Sequence, residues 1–157
     1  MKRLHIHLSV ADLDRSRAFY TNLFGVDPTL ERDDYVRWMI DDPRVNFSIS
    51  ARGRPIGVDH LGIQVESEEE MAQVFEGMRR SAGPLLEMGE VTCCYSRLSK
   101  SWVADPQGLF WETFVTRDNV TTYGEDPDAF DEMKERVAAA NCCGARPTVE
   151  ACCGSAA

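Results

Sequence analysis

The chain repeats itself, and that limits what it can fold into. His5-Ile6-His7-Leu8-Ser9-Val10-Ala11-Asp12 and His60-Leu61-Gly62-Ile63-Gln64-Val65-Glu66-Ser67 share one pattern, a histidine that opens an alternating strand followed by a helix-capping residue. The two histidines are 60 − 5 = 55 residues apart. After the first cap, Leu13, Tyr20, Leu23 and Phe24 give a helix an apolar face, and Gly25 closes it. Ser67 and Glu70 form a capping box for the second helix, whose stripe is Met71, Val74, Phe75 and Met78, and Ser81-Ala82-Gly83-Pro84 stops it. Strands are expected at Tyr35–Asp41 and Val45–Ser50 in the first half. In the second half they are expected at Val58–Glu66, near Leu85–Met88, Val91–Leu98 and Trp102–Ala104, and at Leu109–Val115. The ends of the halves also correspond. Asp42-Pro43-Arg44 before Val45–Ser48 aligns, with one gap, with Asp105-Pro106-Gln107-Gly108 before Leu109–Glu112, which makes Ser48 the counterpart of Glu112.

The pattern predicts an α+β fold of paired βαβββ modules sharing a concave mixed sheet, residues 1–54 forming the first module and 55–117 the second. In residues 118–157 the register is lost. Asp126-Pro127 starts a helix with Phe130, Met133 and Val137 as its stripe, and from Ala139 the small residues, Gly and cysteines predict a flexible tail.

A net charge of −9 excludes nucleic acid and anionic membrane surfaces as partners, and no apolar run approaches a membrane span. Met1-Lys2-Arg3 leads straight into a strand with no signal-peptide pattern, so a cytoplasmic protein is expected. In that compartment the six cysteines, three adjacent pairs at Cys93-Cys94, Cys142-Cys143 and Cys152-Cys153, are thiols.

Glu112 is an acid among apolar neighbours, and a buried carboxylate needs either a metal or a buried cation. His5 and His60 sit at matched module positions and can meet Glu112 in a pseudo-twofold sheet. Two imidazoles and one carboxylate make a facial triad for non-haem Fe(II), and the same set also suits catalytic zinc. His7 shares a face with His5, but Gly62 stands in its place in the second module, so His7 is expected to be a bystander. Cys93 and Cys94 are read in two ways, as strand packing groups or as a pair of thiolates gripping a soft, thiophilic centre.

With those residues in view, the paired modules carrying His5, His60 and Glu112 resemble the vicinal oxygen chelate superfamily of glyoxalase I, extradiol dioxygenases and bleomycin-resistance proteins. Within it, Thr92-Cys93-Cys94-Tyr95, Lys100-Ser101-Trp102-Val103 and Asp105-Pro106-Gln107-Gly108 through Trp111-Glu112 resemble the organoarsenical C–As lyases, also known as a cadmium-induced branch. The resemblance implies Fe(II) on His5, His60 and Glu112, with O2 and a trivalent organoarsenical such as methylarsenite or an aromatic arsenical as substrates. It also implies arsenic held by Cys93 and Cys94, and it allows a homodimer. Ser48 in the place of a second glutamate argues against a glyoxalase I site. Two rival readings are a dioxygenase or lyase acting on a carbon substrate, and a thiol-based protein that binds cadmium or arsenite without turnover.

Overall fold

In the computed structural model, residues 1–93, 95–119, 121 and 127–144 are described. The first module runs β1 (Arg3–Ser9), α1 (Leu13–Phe24), β2 (Leu30–Arg32), β3 (Tyr35–Asp41) and β4 (Arg44–Ser50). The second runs β5 (Gly57–Val65), α2 (Glu68–Arg80), β6 (Leu85–Cys93), β7 (Ser96–Ala104) and β8 (Phe110–Asn119), and α3 (Pro127–Gly144) follows. Each module is thus βαβββ. The caps are those the sequence indicates. Asp12 accepts from the Arg15 amide at 2.9 Å, Gly25 is left-handed at φ 67°, and Ser67 accepts from the Glu70 amide at 3.2 Å.

Three expectations are corrected. The second module has three strands after its helix, not four. A bulge at Gly89 (φ 70°) carries β6 through the expected gap between Met88 and Val91, and the chain reverses after Cys93, with Tyr95 left-handed at φ 62°. Leu23 is 62 % exposed, because it lies about 80° around the helix from the line through Leu13, Tyr20 and Phe24. The C-terminal helix does not fray at Ala139 but continues to Gly144, through Cys142 and Cys143. Cys94 and Cys152-Cys153 lie outside the described residues.

One eight-stranded sheet has the order β2-β3-β4-β1-β5-β8-β7-β6. The first strands of the modules, β1 and β5, pair antiparallel at its centre, and each pairs in parallel with its own module's last strand. The register confirms the duplication: His7 stands opposite Ser48, and Gly62 opposite Glu112. Ile6 and Leu8 point to α1 and pack on the Val36, Trp38, Phe47 and Ile49 core, which turns His5 and His7 to the other face. On that second face Met133 of α3, wholly buried, packs with Trp102 and Phe110.

The sheet is rolled. Arg37 of β3 donates to Ser96 Oγ of β7 at 3.2 Å, and the Tyr95 hydroxyl donates to Asp34 at 2.5 Å. β3 and β7 stand five places apart in the strand order, which in a flat sheet is roughly 24 Å. Only strong curvature brings their side chains together, and the hollow so formed holds His5, His60 and Glu112. Among the described residues no helix is long and apolar enough to cross a membrane.

Candidate metal centre

Alternation along each strand decides what enters the hollow. β1 contributes His5 and His7, β5 His60, and β8 Glu112, and these side chains are nearly inaccessible, 4, 2, 4 and 5 % exposed respectively. Gly62 makes the convergence possible. It stands between His5 and Glu112 in the ladder, where a Cβ would lie 2.6 Å from the Glu112 carbonyl oxygen. A side chain there would fill the gap across which His5 and Glu112 approach.

The triad expected from the sequence is assembled. His5 Nε2 lies 3.2 Å from His60 Nε2, and Glu112 Oε2 lies 3.6 Å from His60 Nε2 and 3.9 Å from His5 Nε2. Donors around one tetrahedral ion at about 2.1 Å are roughly 3.4 Å apart, so these spacings fit a divalent cation.

The tautomers make the stronger case. His5 Nδ1 lies 3.0 Å from the Asn46 carbonyl, which can only accept, and His60 Nδ1 lies 3.2 Å from the Asp59 carboxylate. Both Nδ1 atoms therefore carry hydrogen, and both Nε2 atoms present bare lone pairs to each other. Only a cation or an added proton reconciles them. Asp59 behind His60 is the carboxylate–histidine arrangement that orients a metal-bound imidazole. Arg54 holds Asp59 in turn, at 2.6 Å.

The protonation equilibria reflect the same crowding. Burial, then the neighbouring His60, lowers the His5 pKa to about 4. Burial also opposes charge on His60, but Asp59 and Glu112 outweigh it and raise the value to about 9. Burial would lift Glu112, yet Lys100, His60 and His5 hold its carboxyl well below the usual range. The Lys100 ammonium is fully buried, 3.4 Å from Glu112 Oε1, while Oε2 turns to the histidines. Of the two explanations for a buried Glu112, the buried cation is present at one oxygen, and the other oxygen faces the imidazoles.

A pH dependence follows. His60 titrates above its ordinary 6.5, so its charge stabilises the metal-free fold fully below that value, and the contribution is lost as pH rises through about 9. A ligating imidazole is neutral and has no such window. Denaturant unfolding should show the metal-free protein losing stability from pH 6.5 to 9 and the metal-loaded protein not doing so. A flat profile for the metal-free protein would contradict this.

His7, expected to be a bystander, belongs to the same cluster. One nitrogen from each of His5, His7 and His60 lies within 4.8 Å of the others. Burial, then the charges of His60 and His5, hold its pKa well below 6.5. Asn46 owes its place to the pairing of β1 with β4, a long-range contact that no local pattern announces, while Asp59 is the immediate neighbour of His60 in the chain.

Around the triad, a narrow cavity of about 20 Å³ is lined by Tyr35, Arg37, Ser96, Leu98 and Phe114 among others. Cys93 is buried and stands opposite Ser96, itself part of this lining, in the hairpin ladder. Phe130 of α3 faces His60 with ring centroids 5.7 Å apart.

Residues 2–113 match the Glyoxalase/Bleomycin resistance protein/Dioxygenase superfamily. The chain is 35 % identical over 147 residues to a trivalent organoarsenical cleaving enzyme of Bacillus sp. (strain MD1), covering 91 % of each chain. It is 29 % identical over 154 residues to the cadmium-induced protein CadI of Mycobacterium tuberculosis, covering 96 % of this chain and 99 % of that one. Among solved structures, an extradiol ring-cleaving dioxygenase from B. fuscum superposes with a TM-score of 0.55 at 18 % identity, over 83 % of this chain and 36 % of the other. That last likeness is one of fold.

Proposed function

The chain belongs to the Glyoxalase/Bleomycin resistance protein/Dioxygenase superfamily, and from that premise we propose that it cleaves the carbon–arsenic bond of trivalent organoarsenicals, using Fe(II) and O2, to yield arsenite. The observation that carries the proposal is the pair of bare Nε2 atoms and one carboxylate oxygen converging in a buried hollow. The trivalent organoarsenical is suggested by the Bacillus relative.

His5, His60 and Glu112 would hold the ion. An Fe(II) ion held there would supply the redox chemistry with O2. The chain's own groups do the rest. Cys93 and Cys94 take the arsenic as thiolates and leave its organic substituent directed into the hollow. Asn46 and Asp59 fix the imidazole tautomers. Lys100 holds one oxygen of Glu112, so the other serves as a single-atom ligand. Leu98, Phe114 and Phe130 keep water from the reacting atoms. For methylarsenite the balance closes with one O2 per turnover, giving arsenite and formaldehyde; the carbon is oxidised, O2 is reduced, and arsenic remains trivalent.

The test is to load metal-free protein anaerobically with Fe(II), add methylarsenite, admit air, and quantify arsenite and formaldehyde. Equal yields of both, requiring Fe(II) and O2, are expected, with Co(II) or Ni(II) binding but supporting little turnover. Full activity with Zn(II) without O2 would overturn the dioxygenase reading. Tight binding of methylarsenite with no arsenite released would favour the thiol-binding alternative.

A further inference from the structure

His7 is used by neither the triad nor the arsenic site, yet its ring is closer to His60 than that of His5 is. The centroid separations are 4.8 Å for His7–His60 and 5.2 Å for His5–His60. His7 and His60 are direct partners in the antiparallel ladder of β1 and β5. The His7 ring is fixed from one side only, with Nε2 2.9 Å from Ser50 Oγ. Its Nδ1 is buried and has no hydrogen-bond partner among the described residues. A buried imidazole nitrogen left this way is destabilising, and a bound cation would satisfy it.

We propose that His7 is a third imidazole ligand of this centre, and that His5, His7 and His60 close a second coordination mode around a divalent ion that favours nitrogen donors, Zn(II) or Cd(II). The inference rests on the reading that His5 and His60 hold a metal. The two modes share His5 and His60 and differ in the third donor, Glu112 in one and His7 in the other. Zn(II) is satisfied by three imidazoles and has no need of a carboxylate, whereas non-haem Fe(II) sites use two histidines and a carboxylate. Donor atoms as much as 4.8 Å apart must draw in by up to about 1.4 Å to reach tetrahedral spacing. His7 can make that movement by turning away from the Ser50 hydroxyl, while Lys100 keeps Glu112 satisfied when it does not ligate. The site would then choose its ligands by the metal offered, with Zn(II) competing for the Fe(II) position in a geometry of its own.

The decisive experiment counts histidines. Protein labelled with 15N in its histidines and loaded with 113Cd(II) should show cadmium–nitrogen coupling to three imidazoles, and coupling to two only would overturn the proposal. In titrations, His7→Ala and the volume-keeping His7→Phe should weaken Zn(II) binding at least tenfold and change anaerobic Fe(II) binding less than twofold. Equal loss of both metals, or of neither, would also overturn it. His60→Ala separates this failure from that of the underlying reading. If that variant binds Fe(II) and Zn(II) as tightly as the unaltered protein does, the centre itself is misassigned.

Discussion

Alanine at His60 or at Glu112 is expected to abolish Fe(II) binding and turnover together, and the two variants should differ in what they do to the fold. Three protein ligands leave no spare, so the loss should exceed the roughly 10- to 100-fold that follows from removing an outer-shell partner. Glu112→Ala also takes the carboxylate away from Lys100, an ammonium with no exposed surface. Breaking such a buried pair costs about 3–5 kcal/mol. Glu112→Ala should therefore unfold at markedly lower denaturant concentration. Adding Lys100→Met should return most of that stability and none of the metal. His60→Ala removes a ligand without stranding a charge of that kind, so its stability loss should be smaller. Metal titration and urea unfolding on the three variants measure both effects. Tight Fe(II) binding by Glu112→Ala would remove the carboxylate from the ligand set.

What could be read from the chain beforehand was whatever repeats or alternates. The two capped helices, the matched histidines and the turn at Asp105, whose carboxylate accepts from the Gln107 and Leu109 amides, are local patterns, and they recur in the structure. Features that depend on pairing across the sheet were hidden. Lys100 is one more residue in a strand until β7 lies beside β8 and brings it to Glu112. Asn46 becomes an orienting group only through the pairing of β1 with β4, whereas Asp59 reaches the His60 ring from the adjacent position in the chain. β2 is three residues, Leu30-Glu31-Arg32, too short to show an alternation. His7 was set aside because the second module has Gly62 in its place. In the register, Gly62 clears the line from His5 to Glu112, while His7 stands beside His60.

Serine at Cys93 and Cys94 should remove organoarsenical cleavage and leave Fe(II) binding intact. No thiol lies in the His5–His60–Glu112 set, so nothing that holds the ion is changed. Serine keeps the size of the side chain but offers a hard, protonated oxygen where trivalent arsenic requires a soft thiolate. Cys93 is held at the buried end of the β6–β7 hairpin, and Tyr95 beyond it is tied to Asp34 of the first module, so this turn presents its ligand in one place. Such placement is what a cleavage reaction needs. Cutting the chain after Ala139 would remove the last turn of α3, including Ala140, which lines the apolar cavity between α2 and α3. A cut after Gly144 spares that helix and removes Cys152-Cys153 alone. It should raise the apparent KM a few-fold by taking away a capture site that concentrates thiophilic compounds nearby, and leave kcat nearly unchanged. Steady-state kinetics at saturating methylarsenite compare the two variants. A serine double variant that still releases arsenite, or a shortened chain whose kcat collapses, would show that the thiols divide their work the other way.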